Sequence, residues 1–219
     1  MSDRDHGPDR CARDAPAAAA AIAAGAALFN EGRLLAARDA WSARRRATDD
    51  SPDDERLLRA LAATAAATHR ATDADRSAAA ECADDAVAAL TRVSDPRSVA
   101  LAPVREWAER LAAGPEAEGT ADAPRLRVDG EAPTIGGLSL AAAGVAATAL
   151  ASSGEPGDPT TLATAADFAR EERGTGRTEF AELLFAYLRT PDARPQVAAR
   201  LADHVEREER KRRDVDGLF

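Results

Sequence analysis

Lysine is almost missing from this chain: of 29 basic residues, only Lys211 is not arginine. Large apolar anchors are nearly as scarce, since Met1 is the only methionine and aromatic residues make up 4% of 219 positions. A core poor in such side chains gains little from each burial, so its stability must come from helices whose backbones approach closely. Cys11 and Cys82 are too few and too differently placed for a disulfide framework or a CxxC metal site. No run has the length and apolarity of a membrane span. The stretch APAAAAAIAAGAALF follows Asp3, Asp5, Asp9 and Asp14 rather than a basic segment, so it reads as the first helix of a cytoplasmic protein and not as a signal peptide. An excess of positive charge is also absent: 38 acidic residues give a net charge of -9, which argues against a nucleic-acid partner held by a basic field.

What is present is alanine, arginine and aspartate. An acidic, arginine-for-lysine surface over a small-residue core resembles the proteins of salt-loving archaea, where net charge keeps chains soluble. An ordinary acidic protein from a GC-rich genome is the alternative. In molar salt the Debye length is about 3 Å, so exposed ion pairs and long-range steering contribute little there.

The pattern along the chain predicts an all-α fold of stacked antiparallel hairpins. Residues 1 to 15 read as an unstructured tail. A first helix carries Ile22, Ala26 and Phe29 and stops near Gly32. A second carries Leu34, Ala37 and Trp41 until RRRATDDSPDD breaks it. Asp53 or Asp54 caps a third with Leu57, Leu58, Leu61 and Ala65, and a fourth runs from about Asp75 to Leu90. These four form a module over 16–93. Over 94–137, Pro96 opens a linking helix with Val104, Trp107, Ala108 and Leu111, followed by RLRVDGEAPTI, whose DG turn predicts a very short β-hairpin or an extended clasp. Over 138–219, helices are expected at roughly 139–151, 161–173, 178–189 and 194–213, with Thr161 and Thr178 as N-caps and Gly174 as a C-cap.

Phe29, Asn30, Gly32 and Ala37, followed by Leu61, Ala65 and His69, resemble two motifs of the helical family known as domain of unknown function 309, in its haloarchaeal form. The match spans roughly residues 25–93. Some members of that family are labelled predicted metal-dependent hydrolases, a label that suits Glu and His one helical turn apart around a metal-bound water. This sequence departs at those positions: the family's Glu falls on Ala36, its His on Arg38, its further Glu residues on Asp39 and Ser42, and its Gln on Ala63. Asp39 and His69 remain, too few for a zinc site with three or four protein ligands.

Each remaining candidate has a plainer explanation. His69 fits a helix C-terminus beside Asp73. Arg38 next to Asp39 is no catalytic pair, because arginine stays protonated and cannot act as a base. His204 and Glu208 share one helix face but lack a second cluster. Arg44, Arg45 and Arg46 suit either an acidic or phosphate-bearing partner or the end of their own helix. Leu218 and Phe219 suit docking on a partner or on the chain itself. No phosphate-binding glycine loop or nucleophile elbow is present. The expectation is therefore a non-catalytic helical scaffold or binding module, without cofactor or metal, that takes a protein or small molecule through a groove between helices two and three. Asn30, Arg38, Asp39, Trp41 and His69 are its candidate residues. A diverged metal-dependent hydrolase using His69 and Asp39 is the alternative.

Overall fold

The computed structural model describes residues 9–47, 51–73, 75–114, 123–173 and 178–216. Its helices are α1 (Asp9–Asn30), α2 (Leu34–Ala47), α3 (Pro52–Thr72), α4 (Arg76–Thr91), α5 (Ala102–Ala112), α6 (Leu140–Ser152), α7 (Pro159–Glu172), α8 (Glu179–Arg189) and α9 (Arg194–Asp216). No strand occurs among the described residues, and the fold is all-α. Helix α1 begins at Asp9, so the segment expected to be an unstructured tail is helical from that residue onward.

Local chemistry accounts for most of the joints. Gly32 takes φ +75°, and the Arg33 amide reaches back to the Leu28 carbonyl at 2.8 Å, the wrap that ends a helix on a left-handed glycine. Ser51, rather than Asp53 or Asp54, caps α3 by accepting the Asp54 amide. The two aspartates lie in the first turn instead, where negative charge suits the helix dipole. Asp158 caps α7 ahead of Pro159, accepting both the amide and the hydroxyl of Thr161 at 2.7 and 3.0 Å, so Thr161 is the capped residue and not the cap. Thr178 does precede α8, but its hydroxyl donates to Glu182 at 2.7 Å. Gly174 lies outside the described residues.

Pro96 does not open the fifth helix. That helix starts at Ala102, with Pro103 in its first turn. Arg97 and Ser98 intervene at φ +47° and +63°, a region that costs energy for residues with a Cβ and interrupts any helix. The guanidinium of Arg97 holds this turn by gripping the buried carboxylate of Asp54 through both oxygens, at 3.0 and 3.1 Å. The DG segment forms an extended clasp: Asp129 and Gly130 turn at φ +52° and +80°, and Val128 bridges singly to Val99 and to Glu131.

Helix α6 is the centre of the molecule. Ala142, Ala143, Gly144, Ala146, Ala147, Ala149, Leu150 and Ala151 are all buried, covering nearly every face, as expected of a helix apolar all round. It packs on α1 and α2 from the first half and on α7 and α8 from the second. One continuous apolar cluster therefore runs from Ala20 to Val205. A smaller cluster under Trp107 joins α3, α4 and α5. Close approach replaces bulk in two places. A Cβ on Gly144 would lie 2.5 Å from that of Ala166, and a Cβ on Gly25 would collide with the Trp41 indole.

A polar knot ties the two halves at one end. Arg194, 2% exposed, donates from Nε to the Tyr187 carbonyl at 3.1 Å and pairs with Glu155 at 2.9 Å. Glu155 also pairs with Arg33 at 3.1 Å, in the turn between α1 and α2. The Tyr187 hydroxyl donates to the Pro156 carbonyl at 2.7 Å, and burial pushes the phenol up to about 12.

Candidate functional site

Trp41 of α2 and Leu57, Leu58 and Leu61 of α3 are fully buried. A cavity opens where the α1–α2 hairpin meets the α6–α7 hairpin. It measures about 360 Å³ and is open to solvent on one side. Alanines with Gly144 and Val145 make up its apolar lining, and its polar residues are Asp39, Arg44, Thr148, Ser152, Asp167 and Arg170.

The cavity follows from the composition of its walls. Helices bearing alanine on the facing surfaces approach until backbones nearly touch, as at Gly144 and Ala166. Where two such pairs diverge, methyl groups are too short to fill the gap, and packing at crystal-like density fails locally. Thr148 does not offer its hydroxyl proton to the gap, because it donates to the Gly144 carbonyl at 3.0 Å.

Four of the lining residues are charged, Asp39, Arg44, Asp167 and Arg170. Asp39 pairs with Arg38 at 3.0 Å, and Asp167 pairs with Arg170 one turn later on α7. Arg44 is half-buried with its Nε shielded from solvent, and Arg45 and Arg46 continue the last turn of α2. Arg44 and Arg170 thus share the lining with Asp39 and Asp167, and Arg38 joins them only through Asp39.

The expected site residues do not converge. Asp39 and Arg38 reach the cavity mouth, one lining it and the other paired to its neighbour. Trp41 has no exposed surface and packs between Gly25 and Phe29, with ring centroids of the two aromatics 6.4 Å apart. Its indole N–H is buried without a partner. Asn30 is fully engaged elsewhere: its Nδ2 donates to the carbonyls of Leu126 and Pro133 at 3.0 and 3.1 Å, and its Oδ1 accepts the Leu126 amide at 2.8 Å. Beside it Glu31 accepts the Ile135 amide at 2.8 Å. Asn30 is thus the post on which the extended clasp hangs.

His69 sits at the end of α3 with Nδ1 3.5 Å from Asp73, so it and Asp39 face different partners. His204 meets Glu179 of α8 at 3.3 Å and the edge of Phe180, while Glu208 pairs with Lys211. No group of three or more His, Cys, Asp or Glu side chains capable of holding a metal ion occurs among the described residues.

Arg170, Asp167 and Thr148 are the mouth and wall residues that a linear reading misses. The one usable signal is glycine inside a helical pattern, which marks a close approach; Gly25 and Gly144 both carry it. No family model, no curated protein and no solved structure matches the chain. No helix among the described residues is long and apolar enough to cross a membrane.

Proposed function

We propose that this protein is a non-catalytic binding module whose ligand site is the cavity between the α1–α2 and α6–α7 hairpins. The observation that carries this reading is a space of about 360 Å³ whose lining is mostly alanine with a few charged and hydroxyl side chains. That volume lies within the range of small-molecule pockets, roughly 300–1,000 Å³, which are mostly apolar with a few placed polar groups. The mouth residues are two carboxylates and their arginine neighbours, and no nucleophile is poised beside a base there. The hydrolytic alternative gains nothing from the arrangement, because His69 and Asp39 are engaged with Asp73 and Arg38 respectively.

The resemblance to domain of unknown function 309 remains part of this proposal, supported by the work its motif residues do. Phe29 packs on Trp41, Asn30 holds the clasp and Gly32 makes the turn. A cytoplasm of high salt is likewise proposed as the setting, on the net charge of -9 and the arginine-for-lysine surface.

Titration with a neutral naphthylamine fluorophore tests the binding reading. One saturable site per chain is expected, lost when Val145→Phe fills the cavity while the helical circular dichroism stays unchanged. Absence of saturable binding by the parent protein overturns it.

A further inference from the structure

Resting on the binding reading above, we propose that the cavity takes a free, electrically neutral and largely apolar molecule the size of two fused rings, and discriminates against ions of either sign. Size comes first. Apolar protein cavities of about 150 Å³ take up benzene, so a space of about 360 Å³ has room for a bicyclic hydrocarbon skeleton. Alanine methyl groups, Gly144 and Val145 form the apolar lining, which offers such a skeleton contact but no hydrogen bond. The apolar area between the charged residues is far smaller than the roughly 800 Å² that a stable protein interface takes from each partner.

Neutrality follows from the polar lining, each member of which is already engaged by the protein. Two carboxylates, Asp39 and Asp167, and two guanidinium groups, Arg44 and Arg170, leave the lining without net charge. Asp39 accepts two N–H groups of Arg38, at 3.1 and 3.0 Å. Asp167 pairs with Arg170, whose Nε also donates to the Ala166 carbonyl at 3.3 Å. Arg44 likewise has an interaction of its own. The hydroxyls of Thr148 and Ser152 donate to the carbonyls of Gly144 and Thr148, each at 3.0 Å. A charged ligand would therefore shed its water without gaining a free counter-charge, and an ion stripped of water without such a partner is disfavoured. A neutral apolar ligand gives up only the water over its own surface and over the methyl groups, which favours binding.

Equilibrium dialysis of the full chain compares 2-methylnaphthalene, 2-naphthalenemethanol, 2-naphthoate and 2-naphthylmethylammonium, which share one skeleton. Methylnaphthalene should bind one per chain and tightest, the alcohol next because its hydroxyl meets no free partner, and both ions roughly tenfold weaker than the hydrocarbon or worse. Asp167→Asn leaves Arg170 without its carboxylate and should raise naphthoate affinity by up to about fivefold, the scale of one exposed ion pair. Arg38→Gln frees Asp39 and should do the same for the ammonium. Neither variant should change methylnaphthalene affinity. Either ion binding the parent protein as tightly as methylnaphthalene, or both variants failing to give their shifts, overturns the neutral-ligand proposal but leaves the cavity as a binding site. A ligand-free dimer that methylnaphthalene dissociates, seen by sedimentation, assigns the space to a second copy and overturns the free-ligand assignment. Failure of all four compounds and of the neutral fluorophore overturns the binding reading itself.

Discussion

The indole of Trp41 lies on the backbone of Gly25, in the space that any side chain at position 25 would need. The contact brings α1 and α2 together deep in the core and sets the width of the hairpin that forms one wall of the cavity. Gly25→Ala should therefore destabilise the protein by about 1–3 kcal/mol, the usual cost of overpacking, despite alanine's better helix propensity. Gly136, whose added Cβ would meet nothing within 4 Å, serves as the control and should change stability by less than about 0.5 kcal/mol. Denaturant midpoints of the two variants decide the matter.

Asn30 offers a sharper test, because its two ends face opposite chemistry. The amide nitrogen meets two carbonyls and the oxygen meets an N–H, so the orientation of the amide is forced. Asn30→Ala should cost about 2 kcal/mol through the unmade bonds. Asn30→Asp keeps the shape but aims a carboxylate oxygen at the carbonyls of Leu126 and Pro133, and should cost more than alanine at neutral pH. Equal losses for the two variants would show that side-chain volume, and not hydrogen bonding, holds the clasp.

At the polar knot, position on the surface predicts the hierarchy. Arg33 has a side chain 43% exposed, whereas Arg194 is 2% exposed, and both depend on Glu155. Arg33→Ala should cost under about 1 kcal/mol, as exposed ion pairs do. Glu155→Ala leaves a buried guanidinium without its counter-charge and should cost about 3 kcal/mol, at the low end for broken buried pairs because Glu155 keeps some solvent contact. Urea unfolding of both variants measures the ratio.

Tyr187 sets an alkaline limit. Burial is the main cause of its raised pKa of about 12, with Arg194 acting the other way and Glu155 adding to the rise. In the unfolded chain the phenol ionises near 10, so the folded state binds its proton more tightly. The resulting stability is complete below pH 10 and disappears as pH rises from 10 toward 12. The protein has one tyrosine, so the phenolate absorption band follows this group alone. Ionisation near pH 10 with the helices intact would contradict the burial.

The proposed saline setting predicts that dialysis into dilute buffer lowers the thermal midpoint. The Debye length grows from about 3 Å in molar salt to about 30 Å at 0.01 M, leaving the net charge of -9 unscreened across the molecule. A midpoint that holds or rises on dilution would remove the support for salt adaptation.

Helix stripes were legible because they are local. Val104, Trp107, Ala108 and Leu111 are the buried face of α5, as their spacing implies. The start of that helix was not, because Pro96 and Pro103 are equivalent punctuation until Asp54, 43 residues earlier, fixes Arg97. Capping failed similarly at α3 and α7, where several oxygen-bearing side chains compete and only the backbone angle decides. Asn30 read as a site residue because its partners lie 96 and 103 residues away. Apart from the glycines inside helical patterns, the cavity had no linear signature: four helices make it, and alanine supplies the absence of volume rather than a pattern.

The separation between Asn30 and Leu126 matters before the protein is complete. At ribosomal rates of about 5–20 residues per second, a separation of 96 positions takes roughly 5–20 s to cover. Once α2 is made, the first hairpin carries its methyl face without α6, which is translated still later. A nascent chain of this kind has reason to recruit a chaperone, or to depend on brisk elongation, while its own second half is still being made.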